Sequence, residues 1–224
     1  GSTPGERNVI SGNLYDGVRL AWNGTRHNRI IGNYIGLDVS GATAVENHER
    51  GLVIEYDASD NTVGGAALGE GNVISGNRYH GVAMWSPGTT NNVIQGNFIG
   101  TDASGGNAVP NGAVGLVISG GSTGNLIGGS SPGQGNVISG NSHQGIDING
   151  AAANNTLAGN IVGLDVTGTR PLANAKQGGD GVIIGGGSSG NIIGGNTPEA
   201  RNVISGNGAP GLWADGIRIR DSGN

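Results

Sequence analysis

The chain has 224 residues, of which 49 are Gly, 27 are Asn and none is Cys, and its formal net charge is −5. The absence of Cys excludes a disulfide scaffold and a thiolate metal site. The acidic balance, with Lys176 as the single Lys, argues against a nucleic-acid partner, which needs a basic stripe. No apolar run approaches the roughly 18 residues of a membrane-spanning helix, so we expect no membrane insertion.

A repeat organises the whole chain. The string NVISGN recurs four times, at 8–13, 72–77, 136–141 and 202–207. Within each unit lie two segments of the form Gly-Φ-x-Φ, where Φ is aliphatic, such as GLVI from Gly51 and GVAM from Gly81. The Gly starts lie 30 to 36 residues apart, so each unit divides into two coils of about 30 and 34 residues.

Each coil contains three short β runs. The first run is Gly-Φ-x-Φ, and the second and third runs each begin with Asn-x-Φ. The alternation of aliphatic and other residues predicts strands with one face turned inward, for example Leu116 and Ile118 inward and Val117 outward. No predicted inward column is interrupted by a polar residue. This regularity predicts one continuous aliphatic bore.

The Asn residues that open the second and third runs form two columns. Stacked amides hydrogen-bond to their neighbours above and below, as Asn ladders do in cross-β assemblies. We therefore predict structural ladders at two corners of the coil. The second-run column is Asn28, Asn61, Asn92, Asn125, Asn155 and Asn191. The third-run column is Asn8, Asn33, Asn72, Asn97, Asn136, Asn160 and Asn202.

This pattern predicts an all-β fold, a right-handed parallel β-helix (solenoid) with three short strands per coil and about 6–7 coils. The strict six-residue repeat of the left-handed form is absent. Units such as NVISGN and GNFIGTDASG resemble the right-handed β-helix repeats of the pectate-lyase-like superfamily, particularly the repeat proteins that bacteria secrete or display. The resemblance covers essentially the whole chain.

The resemblance implies a secreted setting, so we expect an extracellular or cell-surface location. It implies function only broadly, because the superfamily includes polysaccharide lyases, hydrolases, epimerases, tailspikes and adhesins. Residues 1–224 read as a single β-helix domain with no separate second domain. We expect the chain to be a slice of a longer solenoid; the alternative is that neighbouring copies cover its ends through end-to-end self-association.

The enzymes that the chain resembles commonly place their active groove along one sheet face, so the outward positions of the first run are the first candidates. A central cluster contains Glu55 and His80 as candidate catalytic groups, and Arg50, Tyr79 and Trp85 as candidate binding groups. A Trp face beside a carboxylate and an imidazole suits a sugar platform with a general acid–base pair.

A second, C-terminal cluster contains Asp147, Asp180 and Arg218 as candidate catalytic groups, with Asp215 and Arg220 beside them. Carboxylates one coil apart suit glycoside hydrolysis. The alternative for both clusters is an ordinary solvated face whose charge pairs contribute little. We favour this alternative, because the intervening outward column is apolar and neither cluster is tight in sequence.

Three loops begin with Asp-x-Ser/Thr-Gly, at Asp38, Asp102 and Asp165. One reading is a row of calcium sites, in which Glu46, Asn111 or Asn174 supplies further oxygen ligands. The other is a turn in which the polar side chain bonds nearby backbone and Gly takes a positive φ. One carboxylate per loop favours the turn, so we expect no cofactor.

We therefore predict a non-catalytic extracellular structural or adhesion module, such as a rigid stalk or filament element. Every coil obeys the same rule, and no loop is long enough to build a lid or a deep cleft. The alternative is a carbohydrate-active enzyme or glycan-binding segment, of polysaccharide lyase, hydrolase or epimerase type, on the first-run face. Its partner would be a polysaccharide or a cell-surface glycan.

Overall fold

The computed structural model describes residue 1 and residues 3–175, 179–208, 211 and 213–221. These residues form a parallel β-helix of three sheets, and the predicted right-handed, all-β class is confirmed. Each strand inside a sheet pairs in parallel with the equivalent strands one coil before and one coil after it, and each strand at the end of a sheet pairs with one. Two short 3₁₀ turns, Pro4–Glu6 and Pro198–Ala200, are the only helical segments among the described residues.

The three predicted runs form the three sheets. The first-run sheet contains β2 (Val18–Ala21), β5 (Leu52–Glu55), β8 (Val82–Trp85), β11 (Leu116–Ile118), β14 (Ile146–Ile148), β17 (Val182–Ile184) and β20 (Ile217–Ile219). The second-run sheet contains β3 (Arg29–Ile30), β6 (Thr62–Gly64), β9 (Val93–Gln95), β12 (Leu126–Gly128), β15 (Thr156–Ala158) and β18 (Ile192–Ile193). The third-run sheet contains β1 (Val9–Ile10), β4 (Tyr34–Ile35), β7 (Val73–Ile74), β10 (Phe98–Ile99), β13 (Val137–Ile138), β16 (Ile161–Val162) and β19 (Val203–Ile204).

The bore is filled as the alternation predicts. Ile118 lies in register with Met84 on one side and Ile148 on the other, and all three are completely buried. The inward residues of all three sheets join in one aliphatic cluster. Since burial of one such side chain contributes roughly 1.5–3 kcal/mol, this continuous column is the main source of stability.

Both predicted Asn ladders are present. In each, the Nδ2 of one Asn donates to the Oδ1 of the Asn on the next coil, at 2.8–3.1 Å. The amide also bonds backbone: Asn97 Nδ2, for example, donates to the carbonyl of Val63 at 2.9 Å. The ladders therefore satisfy backbone groups that the tight corners would otherwise leave unpaired.

The structure contains a third ladder that the sequence reading missed. It runs along the corner between the third and first runs, with links of 2.8–3.0 Å. Its members are Asn13, Asn47, Asn77, Asn111, Asn141, Asn174 and Asn207. With it, every corner of the coil carries one amide ladder.

Three hairpin-like loops project beside the third-run sheet on alternate coils. Each is closed by an antiparallel bridge, at Leu37 with Ala44, Thr101 with Ala108, and Leu164 with Pro171. The loops stack through backbone bonds, from Ala103 N–H to Gly41 O at 2.9 Å and from Val166 N–H to Gly105 O at 3.0 Å. They form a rib along one edge of the solenoid.

Candidate functional site

The central cluster predicted on the first-run face assembles around Glu55. Glu55 ends β5 and lies in register with Ala21 on the previous coil and Trp85 on the next. Trp85 Nε1 donates to Glu55 Oε2 at 2.6 Å, and Arg19 forms an ion pair with Oε1. Glu55 is only 5% exposed, so both carboxylate oxygens are engaged inside the protein.

Arg50 and His80, which lie two residues before β5 and β8, also belong to this cluster. The guanidinium of Arg50 lies 4.6 Å from the centre of the Trp85 ring, and its Nη1 donates to Asp16 Oδ1 at 3.0 Å. The His80 ring meets Trp85 edge-on, with centroids 6.2 Å apart. The structure thus joins four predicted residues with one another. A shallow recess of about 180 Å³ lies beside them, lined by Glu49, Arg50, Tyr79 and His80.

His80 is the least satisfied member of the cluster. Burial lowers its pKa to about 4, with smaller contributions from the charges of Arg50 and His143, while a hydrogen bond to the backbone of Val114 acts in the opposite direction. Its Nδ1 is buried and finds no hydrogen-bond partner among the residues that the structure describes. At neutral pH His80 is therefore an uncharged imidazole with one unengaged nitrogen.

The outward-facing residues of the first-run sheet are more buried than their position on an outer face predicts. Val53 and Ala83 are completely buried, and Val117 and Ile183 are 5% and 7% exposed. The longer side chains of this face, such as Arg50 over Trp85, cover it. A layer of paired polar and aromatic groups therefore lies over an apolar sheet surface.

The C-terminal cluster assembles in part. Arg218 bridges Asp180 at 3.1 Å and Asp215 at 2.9 Å, and the backbone N–H of Asp215 donates to Asp180 Oδ1 at 2.7 Å. Asp147 lies in register between Val117 and Ile183.

Opposing effects act on the pKa of Asp147. Burial raises it, while a hydrogen bond from Asn149 and the charge of Arg220 act in the opposite direction. Asp180 and Asp215 share an arginine, which suits an ion-pair network better than a proton-exchanging acid–base pair.

The three Asp loops use their carboxylates internally. Asp102 Oδ1 accepts from the Ser104 hydroxyl at 2.7 Å and from the backbone of Gly106 and Asn107, and Oδ2 accepts from Asn107 Nδ2 at 2.8 Å. Asp38 and Asp165 are bonded in the same way, with Arg170 as an added partner of Asp165.

A hydrogen bond from Ser40 lowers the pKa of Asp38, and one from Arg170 lowers the pKa of Asp165. Burial raises the pKa of Asp102, but its hydrogen bonds from Asn107, Ser104 and Gly106 outweigh this effect and lower the pKa overall. Asn111 and Asn174, considered as further calcium ligands, belong to the third ladder, where their Oδ1 atoms accept from Asn77 and Asn141. Within the described residues, no group of three or more His, Asp or Glu side chains is arranged to hold a metal ion.

Two surface features were not anticipated from the sequence. A cleft of about 320 Å³ lies over the third-run sheet, between the loop around Leu68 and the hairpin containing Ala103, with Tyr34 and Phe98 on its floor. At the carboxyl ends of β2 and β5 in the first-run sheet, Trp22 and Tyr56 form an exposed stacked pair. The signal for this pair was its position, directly after the first run in two successive coils.

The comparisons with known proteins show the fold. A crystal structure of a mutant of the periplasmic alginate epimerase AlgG is 15% identical, covers 96% of this chain and superposes with a TM-score of 0.50. A second AlgG mutant structure is 14% identical over the same share, with a TM-score of 0.43. This chain spans 43% and 39% of those chains, less than half their length.

No protein-family model and no curated protein matches the sequence. Among the described residues, no helix has the length and apolar character needed to cross a membrane.

Proposed function

We propose that this chain is a non-catalytic β-solenoid module with a structural and adhesive role outside the cell. The observation that carries the proposal is the pairing of the candidate carboxylates on the first-run face. Glu55 is held by Arg19 and Trp85, and Asp180 is held by Arg218. A catalytic carboxylate must exchange a proton with its substrate or attack it, and these groups are committed to neighbours instead.

The two remaining titratable candidates are poorly placed to cooperate. His80 precedes β8, whereas Asp147 lies on β14, and β11 separates the two strands. Neighbouring strands lie about 4.8 Å apart, so the two groups are about 10 Å apart along the axis. That distance exceeds the reach of a direct proton transfer.

The ladders favour a rigid role. Six coil steps at about 4.8 Å give a rod about 30 Å long. Hydrogen bonds between Asn side chains connect the coils at all three corners, and the bore is continuous. In such a solenoid each coil contacts only its neighbours, so the same ladder and bore contacts hold every pair of adjacent coils together.

The structural neighbour supports a carbohydrate setting. AlgG is by name a periplasmic enzyme that acts on alginate, and this chain shares its fold.

A second candidate is a polysaccharide-modifying enzyme. The observation in its favour is the recess lined by His80 together with Arg50 and Tyr79. An uncharged imidazole there could accept a proton from a bound sugar, and an arginine could neutralise a uronate.

A turnover screen distinguishes the two candidates. Wild-type protein is incubated with alginate, polygalacturonate and a neutral β-glucan, with and without calcium, while unsaturated products, new reducing ends and sugar configuration are followed. We expect no product under any condition. Activity that disappears in His80→Ala or Asp147→Ala, but not in the exposed control His27→Ala, would overturn the proposal and assign the first-run face as an active site.

A further inference from the structure

We propose that Trp22 and Tyr56 form a platform on which the apolar faces of hexopyranose rings in a glycan chain stack. This inference rests on the proposed adhesive role and names the ligand class. The platform is defined here as these two side chains, which follow β2 and β5 directly on successive coils.

The two rings are stacked and nearly parallel. Their centroids are 6.4 Å apart and their planes differ by 21°. Trp22 is 65% exposed and Tyr56 is 48% exposed, so the rings face solvent although the sheet beneath them is buried. The guanidinium of Arg19 lies 5.5 Å from the Trp22 ring, and Arg19 is in turn fixed by Glu55.

The backbone at the platform is unfavourable for large side chains. Trp22 and Tyr56 have φ values of 73° and 51°, in the left-handed region that bulky side chains avoid. The equivalent corner position is Ser86 in the next coil, Gly120, Gly150 and Gly186 in the three coils after it, and Asp221 in the last, all with positive φ. Glycine takes this conformation without strain. Strained residues of this kind are concentrated at functional sites.

The exposed area favours a sugar over a protein. An aromatic side chain offers about 150–250 Å² in all, so the exposed parts of the two together amount to less than roughly 300 Å². A stable protein–protein interface takes about 800 Å² from each partner. A sugar ring, by contrast, is small enough to be covered by one aromatic face. The contact is also favourable electrostatically, because the ring C–H groups of the sugar carry partial positive charge and the π face is negative.

The rim of the platform suits the hydroxyl groups of a glycan. Asn23 and Asp57, which directly follow Trp22 and Tyr56 in the sequence, are exposed and offer both donors and acceptors. With Arg19 beside Trp22, charges of both signs are present, so the attraction does not depend on a charged ligand. Because the two rings lie on adjacent coils, the glycan chain would run along the solenoid axis.

The test is calorimetric binding to cellohexaose, chitohexaose, mannohexaose and polygalacturonate. We expect at least one to bind the wild type, and we expect Trp22→Ala and Tyr56→Ala each to weaken its affinity at least tenfold. The matched control is Trp213→Ala, because Trp213 is 93% exposed and lies outside the platform. Its affinity should equal that of the wild type. Binding should also change little between low and high salt.

A stability measurement separates a binding role from a structural one. Trp22→Gly should retain the melting temperature of the wild type while losing affinity, because Gly relieves the left-handed backbone. The proposal is overturned if none of the four sugars binds, if both alanine variants bind as the wild type does, or if Trp22→Gly unfolds the protein. Turnover of a bound sugar would instead contradict the non-catalytic role and leave the platform intact.

Discussion

The indole Nε1 of Trp85 donates a hydrogen bond of 2.6 Å to Oε2 of Glu55 on the preceding coil. The other oxygen of Glu55 pairs with Arg19 on the coil before that. A nearly buried carboxylate thus links side chains of three successive coils. Its position made Glu55 a candidate catalytic acid, whereas its contacts are those of a structural link.

Replacing Trp85 by Phe should therefore cost stability. The substitution keeps an aromatic ring but leaves Oε2 of Glu55 without its donor, and an unsatisfied buried acceptor costs about 1–3 kcal/mol. Urea unfolding followed by circular dichroism measures the difference. Trp213→Phe, at an exposed position, should change stability by less than about 0.5 kcal/mol. Equal stability of the Trp85→Phe variant and the wild type would show that the Glu55 link contributes nothing.

The third ladder predicts that the stability lost on replacing an Asn depends strongly on its place in the ladder. Asn77 is 2% exposed, accepts from Asn47 and donates to Asn111, both at 2.9 Å. Asn77→Ala should lower the free energy of unfolding by about 1–3 kcal/mol for each buried partner left unsatisfied. Asn13→Ala removes an exposed end rung and should cost less than about 1 kcal/mol. Similar losses in the two variants, measured by urea unfolding, would contradict a cooperative ladder.

The bore assignment predicts that Ile118→Asp prevents folding. A carboxylate between Met84 and Ile148 would be buried without a partner, at a cost of several kcal/mol. The control is Leu68→Asp, because Leu68 is completely exposed. Circular dichroism and thermal melting report the outcome. A soluble Ile118→Asp variant with a cooperative transition and full strand content would refute the register.

The buried imidazole predicts a pH dependence of stability. The pKa of His80 is about 4 in the folded protein against an ordinary value of 6.5, because burial and the charges of Arg50 and His143 disfavour the cation. Between these values the unfolded chain binds a proton that the folded chain does not. The free energy of unfolding should therefore fall as the pH drops from 6.5 to 4.

His80→Gln should flatten this dependence, whereas His27→Gln, at an exposed position, should leave it unchanged. Urea unfolding at several pH values measures both slopes. The Asp loops affect stability at lower pH. Their carboxylates have lowered pKa values in the folded protein, so their contribution to the free energy of unfolding is lost only as the pH falls below about 3.8. An unaltered slope in His80→Gln would show that the imidazole is not buried as described.

The fold was predictable because repetition makes each position a repeated test of the same rule. Residues such as Ile54, Met84, Ile118 and Ile148 recur at one point of the coil, and only a stacked bore explains an unbroken apolar column. The third ladder was also within reach. Asn47, for example, lies four residues before Gly51, and the same offset holds in five of the seven coils. The hairpin insertions vary the distance from the third-run strand to this Asn on alternate coils, whereas its distance to the following Gly is constant in most coils.

The candidate site was only partly predictable. The sequence placed Arg50, Glu55, His80 and Trp85 on one face, because strand register follows from the Gly starts. It could not show which atoms bond, since side-chain direction at a corner depends on rotamer and packing. The stacking of Trp22 on Tyr56 was not predicted for the same reason, because sequence position does not show whether two side chains touch or stay exposed.

The most direct test of the account is a proton NMR spectrum of the tightest-binding oligosaccharide, recorded before, during and after prolonged incubation with stoichiometric wild-type protein. We predict line broadening of the sugar resonances that reverses when the protein is removed, and a final spectrum identical to the first. New resonances from unsaturated, shortened or epimerised sugar would contradict a module that binds glycans without altering them.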